Sequence, residues 1–342
     1  MKSQIVFSKA LPKPAQFSTE TVLFYDSILA KNKKLNPWIK SFPYKIALKS
    51  GEKLKTIESF NSVLNKISKL KVPKSTQLTF LALGGGSVGD FTGFVASVYL
   101  RGRKLVLLPS TWLSAVDSSH GGKTGLNFLN TKNQIGSFYP ASTIYVCDEL
   151  LLTQPEARLT ESMGEIIKIA VISDAKLFKT LEEKISGLKQ QDIIKILPRV
   201  INLKYKIVKR DPQEKNGIRR ILNLGHTMGH VFESHYGWPH GVSVLLGMQF
   251  AARWSFAKGV LTQKDFFRIS LLIDSLDLFV NLNDALKKLS SAKISALLSK
   301  DKKLTSKSQL DFIFIKKIGS CNRQSVSLQD ILNEVKRQKS EY

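Results

Sequence analysis

Leu78–Leu83 (LTFLAL) runs directly into Gly84-Gly85-Gly86-Ser87-Val88-Gly89 and then Asp90. An apolar run of strand length that stops at a glycine cluster reads as a buried strand turning into a helix, with the helix starting near Asp90. Glycines let the backbone approach a pyrophosphate closely, and a helix N-terminus supplies unpaired N–H groups and the positive end of the helix dipole. The spacing is not that of the GxGxxG dinucleotide fingerprint, and a glycine-rich turn can also be purely structural. At this point both readings stand.

Working outward, the same texture repeats. Thr21–Tyr25 reads as a strand ending at Asp26, Leu105–Leu108 as a strand ending at Pro109-Ser110-Thr111, and Ile144–Val146 as a strand ending near Asp148. Ser59–Leu70 has helical spacing of Phe60, Val63, Leu64, Ile67 and Leu70. Strands alternating with helical segments predict an α/β domain with a mostly parallel sheet. Ligands of such sheets bind beyond the carboxyl ends of the strands, which places the Ser110 and Thr111 hydroxyls towards the same nucleotide. The alternative for either residue is a helix N-cap.

From about residue 151 the strand-like runs give way to long amphipathic stretches: Glu161–Ile172, Ile193–Val208, His226–Ser234, Val242–Trp254 and Phe266–Leu276. This predicts two domains, an α/β domain over 1–150 and a mainly α-helical domain over 151–342, without tandem repeats or a low-complexity linker.

Composition narrows the function class. Hydrophobic residues make up 43% and charged residues 23%, which fits a soluble globular chain and argues against global disorder. The net charge of +25 would suit a nucleic-acid or anionic-surface binder, but the lysines are spread along the chain and no nucleic-acid-binding signature is present. The expectation is therefore no nucleic-acid partner, with a few cations serving a small anionic ligand. Two cysteines, Cys147 and Cys321, make no disulfide framework. The N-terminal stretch lacks an apolar core of signal-peptide length, and no apolar run is long enough to span a bilayer. A reduced, cytoplasmic protein with no membrane association is expected.

Four of the five histidines, His226, His230, His235 and His240, fall within fifteen residues. His226 and His230 are four apart and share a helix face, and His240 follows a Gly-Trp-Pro turn that can fold it back towards them. Single histidines are usually core or surface residues. A cluster of this kind beside a nucleotide loop favours a catalytic metal such as zinc, which takes three protein ligands of imidazole and carboxylate type. Glu165 is the acidic candidate. It shares a face with Lys168 on an otherwise apolar helix, where a charged pair is expensive to bury without partners. The plain alternative is a surface ion pair.

A polar stretch, Asp117-Ser118-Ser119-His120-Gly121-Gly122-Lys123-Thr124-Gly125, is followed by Lys132-Asn133. Arg101 closes the helix that follows the glycine loop, and Lys204, Arg219 and Asn223 lie in the second half. Arg grips carboxylate or phosphate in a bidentate manner and Lys acts as a point charge. The set implies a substrate with at least two anionic groups.

Together these segments resemble 3-dehydroquinate synthase, of the sugar phosphate cyclase family. The resemblance rests on Gly51-Glu52 with Lys55, LALGGGSVGDFTGFVASVYLRG at 81–102, LPSTWLSAVDSSHGGKTGLN at 108–127, TKNQIGSF at 131–138, SMGEIIKIAVI at 162–172, GIRRILNLGHTMGH at 217–230 and WPHG at 238–241, with Asp301-Lys302-Lys303 as a further match. It implies a Rossmann-like NAD-binding domain followed by a helical metal- and substrate-binding domain. Carried over motif by motif, it implies Glu165, His226 and His240 as ligands of Zn2+ or Co2+. It implies NAD contacts from Glu52, Lys55, Gly85, Gly86, Asp90, Ser110, Thr111, Asp117 and Lys132. It implies substrate contacts or catalytic roles for Arg101, Asp117, Lys123, Asn133, Lys168, Lys204, Arg219, Asn223 and His230, joined by Lys302 or Lys303.

The implied reaction converts 3-deoxy-D-arabino-heptulosonate 7-phosphate into 3-dehydroquinate and phosphate, a carbon–oxygen lyase step of the shikimate pathway. In it, transient oxidation by NAD permits phosphate elimination, and reduction and intramolecular aldol closure follow. A homodimer is implied as well. Three positions depart from the family pattern: Val242 stands where Glu is usual, His120 replaces a small apolar residue, and the 211–217 loop is one residue longer.

Two rivals share part of this pattern. Metal-dependent polyol dehydrogenases share the glycine loop and HxxxH helix but do not need Arg101, Lys123, Lys168 and Arg219 together. Cyclases making other carbocycles are closer, and Lys204, Arg219 and Asn223 favour a substrate carboxylate. A rival of another class is a basic anion- or nucleic-acid-binding protein with a decayed site.

Overall fold

The computed structural model describes residues 3–73, 75, 77–129, 131–185, 187–299, 304–305 and 309–341. Lys302 and Lys303 lie outside the described residues. The chain divides into two compact units, Met1–Arg158 and Leu159–Tyr342.

The first unit contains β1 (Gln4–Ser8), β2 (Thr21–Asp26), α1 (Leu35–Lys40), β3 (Tyr44–Leu48), α2 (Ile57–Lys69), β4 (Thr79–Gly84), α3 (Gly86–Val98), β5 (Lys104–Pro109), β6 (Lys123–Phe128), β7 (Thr131–Phe138), β8 (Thr143–Cys147) and α4 (Asp148–Leu151). Six strands form one sheet in the order β1-β8-β5-β4-β2-β3, and every pairing is parallel. Every residue of β4 is buried, as expected for a central strand covered on both faces. Leu23, Leu81, Leu83, Val106 and Leu108 pack one face of the sheet against Leu29, Leu35, Ile39 and Phe42. β4 and β5 run in register from Thr79–Lys104 to Gly84–Pro109, so the glycine turn and Ser110 leave the sheet side by side.

The helix after the glycine turn begins at Gly86, four residues before the expected start near Asp90. Gly85 takes the extended N-cap position, and the small residues after it enter the helix without steric cost. The β6–β7 hairpin is absent from the sequence expectation. Its second strand, TKNQIGSF, is mostly solvent-facing, so it carries no apolar alternation to announce it.

The second unit holds α5 (Ala157–Ser173), α6 (Ala175–Lys184), α7 (Gln190–Arg210), α8 (His226–Tyr236), α9 (His240–Ala257), α10 (Gln263–Asp274), α11 (Leu282–Lys287), α12 (Ser291–Ser299), β9 (Leu304–Thr305), β10 (Gln309–Lys317), β11 (Ser320–Ser327) and α13 (Leu328–Glu341). α9 is buried around almost its whole circumference, which makes it the central helix of this unit. The Ser255 hydroxyl of α9 accepts from the Ile315 amide of β10 at 2.9 Å, and Gln338 of α13 donates to the Phe250 carbonyl of α9 at 3.1 Å. The helical expectation for this half omits the antiparallel β9–β10–β11 sheet. The run Phe312-Ile313-Phe314-Ile315, ending at the Gly319 turn, carries that strand signal.

Candidate functional site

α5 is apolar on nearly every side, yet it carries Glu165 and Lys168, only 1% and 2% exposed, which ion-pair with each other. The surface-pair reading of these two residues is therefore wrong. Neither Glu165 oxygen accepts a hydrogen bond of ordinary geometry among the described residues, although Lys168, His226 and His240 all face them.

His226 opens α8 directly after Gly225, which has a left-handed backbone. Its Nδ1 lies 3.1 Å from the Leu224 carbonyl, and its Nε2 lies 3.7 Å from Glu165 Oε1. A carbonyl can only accept, so Nδ1 carries a hydrogen, and Nε2 is the ring nitrogen that faces the carboxylate. His240 opens α9 after Pro239, with Nε2 3.4 Å from the same Glu165 oxygen and Nδ1 2.9 Å from Glu233 Oε2.

One ligand atom each from Glu165, His226 and His240 lies within 4.8 Å of the others. This donor set, around a buried and under-bonded carboxylate, fits a divalent ion of zinc or cobalt type. Burial disfavours a charge on His240, but the nearby Glu165 carboxylate and the bond to Glu233 outweigh it and raise its pKa to about 9.

His230 sits one turn further along α8, its ring 5.3 Å from that of His226 and 6.4 Å from that of His240. It is beside the ligand group and not part of it. Lys204 is buried on α7. Arg219 is also buried; it leads the short turn Arg219–Asn223 into α8 and donates to the Pro212 carbonyl at 3.1 Å. Asn223, half-buried, ends that turn. The preceding 211–217 loop is tied down by Asp211, which accepts from the amides of Asn216 and Arg219.

In the first unit no side chain caps the N-terminus of α3, which leaves its first amides to a ligand, and Gly85 and Gly86 form the turn in front of them. A small cavity there is lined by Gly86, Asp90, Ser118, Gly122, Lys123 and Thr124. Lys55 is buried and bonds Asp90 at 2.8 Å and also Asn133. Asp90 is pushed up by its crowded setting and pulled back by Lys55. The structure thus joins Lys55, implied as an NAD contact, to Asn133, implied as a substrate contact.

A second link, from Glu52 to Asn133, runs through Asn127, which the sequence reading does not single out. It bonds the Glu52 carboxylate at 2.7 Å and accepts from the Asn133 amide at 2.9 Å. Asn133 itself has a positive φ of 53°. A polar residue ending the 108–127 motif was the available signal.

Ser110 is buried, its amide bonded to Gly84. The Thr111 hydroxyl accepts from the Ser114 amide at 3.2 Å, so the cap alternative is realised there. Asp117 lies half-buried on the π-helical turn Ser114–Ser118. His120 is buried, with Nε2 2.7 Å from the Ala115 carbonyl. Arg101, Lys123 and Lys132 are exposed. Leu100 and Arg101 both have left-handed backbones, a conformation that costs energy outside glycine.

The 3-dehydroquinate synthase N-terminal family model matches residues 45–161, and the C-terminal model matches residues 162–304. The chain belongs to the 3-dehydroquinate synthase family. Curated 3-dehydroquinate synthases are similar along most of their length. That of Colwellia psychrerythraea is 35% identical over 85% of this chain and 82% of its own, and that of Prochlorococcus marinus is 37% identical over 84% and 77%.

Solved structures share the fold at lower identity. A 2-epi-5-epi-valiolone synthase from Streptomyces hygroscopicus, determined with NAD+ and Zn2+, matches with a TM-score of 0.87 at 22% identity, covering 100% of this chain and 97% of that one. A 2-deoxy-scyllo-inosose synthase complexed with carbaglucose-6-phosphate, NAD+ and Co2+ matches with a TM-score of 0.82 at 20% identity, covering 97% and 96%. A glycerol dehydrogenase from Schizosaccharomyces pombe matches with a TM-score of 0.61 at 12% identity, covering 99% and 89%. Among the described residues no helix is long and apolar enough to cross a membrane.

Proposed function

We propose that this chain is a 3-dehydroquinate synthase acting on 3-deoxy-D-arabino-heptulosonate 7-phosphate, a carbon–oxygen lyase that releases phosphate and closes a carbocycle. The observation that carries the reading is the Glu165–His226–His240 group, whose carboxylate is buried with Lys168 paired to it. Family membership supplies the substrate. The relatives at 35% and 37% identity carry this activity's name, whereas the cyclases that make other carbocycles lie at 20% and 22%.

Glu165, His226 and His240 would hold Zn2+ or Co2+, which when bound supplies Lewis acidity towards substrate hydroxyls. NAD, set against the amides of Gly86 and its neighbours on α3 with Glu52, Lys55, Gly85, Asp90, Ser110, Thr111, Asp117 and Lys132 around it, would supply reversible hydride acceptance.

The remaining work falls to the chain's own side chains. Lys168 sets an ammonium beside the carboxylate ligand, where it can bond an oxygen of the bound substrate. Lys204, Arg219 and Asn223 offer cationic and amide donors to a carboxylate, and the burial of Lys204 and Arg219 strengthens each bond. Arg101, Lys123, Asn133 and Asp117 are the further polar and charged groups this reading assigns to the substrate. His230, next to the ligand histidines, offers an imidazole that can take a proton from the substrate and return it. This reading divides the chain into an NAD-binding and a metal- and substrate-binding domain, and it carries a homodimeric state and a cytoplasmic location.

The test is phosphate release from the heptulosonate phosphate by zinc-loaded protein with catalytic NAD. Release without net NADH accumulation is expected. Net NADH would point to a polyol dehydrogenase, and no release from folded, metal-loaded protein would sink the synthase reading.

A further inference from the structure

Metal-binding histidines are held in register by a partner on the ring nitrogen that does not face the ion, and loss of that partner loosens the site. His226 has such a partner in the Leu224 carbonyl, supplied by its own chain turn. His240 has none on its own helix. The position two residues on is Val242, an apolar side chain only 3% exposed. The carboxylate that meets His240 Nδ1 comes instead from Glu233 on the neighbouring helix, at 2.9 Å.

Glu233 lies seven residues after His226 and three after His230, so all three fall on one face of α8. One stripe of α8 therefore carries a ligand imidazole, the adjacent His230 and a carboxylate that reaches the ligand of α9. We propose that Glu233 is the positioning residue of the metal centre: by accepting the Nδ1–H of His240 it aims Nε2 at the ion.

The geometry supports this in two ways. The Glu233–His240 bond is on the far ring nitrogen from Glu165, so the carboxylate holds the ring and leaves Nε2 free for the ion. A carboxylate accepting from Nδ1 also selects the tautomer whose lone pair is on Nε2, which a cation needs. The inference rests on the metal reading of the Glu165–His226–His240 group.

The test compares the wild type with Glu233→Ala and Glu233→Gln for zinc affinity, by competition with a chromogenic chelator, alongside circular dichroism and the thermal midpoint of the metal-free protein. Glu233→Ala should bind zinc about 10- to 100-fold more weakly with its metal-free fold intact. Glu233→Gln, whose amide oxygen still accepts from Nδ1–H, should stay within a few-fold of wild type. Should Glu233→Ala fail to fold, Glu233→Leu keeps the volume and takes its place. Unchanged affinity in the alanine or leucine variant would overturn the proposal. Equal losses in the alanine and glutamine variants would also overturn it, since a directly ligating carboxylate behaves that way. A wild type without a tight zinc site would remove the metal reading and this inference together.

Discussion

Gly164 and Gly241 meet backbone to backbone: a methyl group on Gly164 would lie 2.4 Å from the Gly241 carbonyl oxygen, and one on Gly241 would lie 1.6 Å from that of Glu161. α5 and α9 therefore approach each other more closely than any larger residue permits. The next residue after Gly164 is Glu165 and the one before Gly241 is His240, so this crossing brings the carboxylate and the imidazole to 3.4 Å.

Gly241→Ala should consequently damage two properties at once. Separating the helices should cost about 1–3 kcal/mol of stability or more, as overpacking does. It should also weaken zinc binding, because His240 moves with its helix. Denaturant unfolding and chelator competition on the same preparation check this; a stability loss with unchanged zinc affinity would show that the crossing does not set the ligand geometry.

His226→Ala should lose metal and activity in parallel. Two ligands remain, fewer than the three that a catalytic zinc site uses. Metal analysis after dialysis, beside the phosphate-release assay, decides it, and full metal occupancy in the variant would remove His226 from the ligand set.

Lys168→Met should destabilise the metal-free protein by about 3–5 kcal/mol, since it removes the ammonium paired with the buried Glu165 carboxylate and leaves only the His226 and His240 rings facing it. Zinc should restore much of that loss by neutralising the same carboxylate. A variant whose thermal midpoint is as low with zinc as without it would contradict this account.

Asp174 caps α6 through the amides of Lys176 and Leu177 and holds the Arg199 guanidinium at 2.8 Å. Burial works against its charge, but Arg199 and the two amides outweigh it and hold the carboxyl below its ordinary value of 3.8. A depressed folded pKa means that its stabilisation is present above the ordinary value and disappears as pH falls through the folded value. Asp174→Ala should therefore cost about 0.5–2 kcal/mol at neutral pH, and the gap to wild type should close in acid below pH 3.8. A gap that stays constant down to pH 2 would refute this.

The net charge of +25 should draw an anionic sugar phosphate to the enzyme. Raising salt from about 0.05 to 0.5 M should lower kcat/KM several-fold and leave kcat nearly unchanged, because screening acts on encounter. Stopped-rate assays across the salt series measure it, and a kcat that falls as steeply as kcat/KM would assign the effect elsewhere.

Much of the fold was legible where one apolar period dominated. LTFLAL and LVLLP are covered on both faces and announce themselves as strands; Val242–Trp254 was legible as a helix, but its burial on nearly every side was not, since it reads as amphipathic. β7 was not legible, because its exposed residues have no burial pattern to print into the sequence. The histidine spacing and the carboxylate–lysine pair in an apolar helix named the metal candidates, since both patterns are costly without a partner. Asn127 and Glu233 were silent, because a lone amide or carboxylate looks the same whether it faces water or a functional neighbour.

The sequence by itself determined the alternating parallel α/β half, the mainly helical half and the residue types of the metal group. Those follow from local periodicity and from the expense of burying charge. Tertiary structure alone decided that Glu165 and His240 meet across a glycine contact, that Lys168 is buried against Glu165, and that Glu233 bonds the His240 ring. These depend on how closely two helix backbones can approach, a distance set by packing between segments remote in the chain.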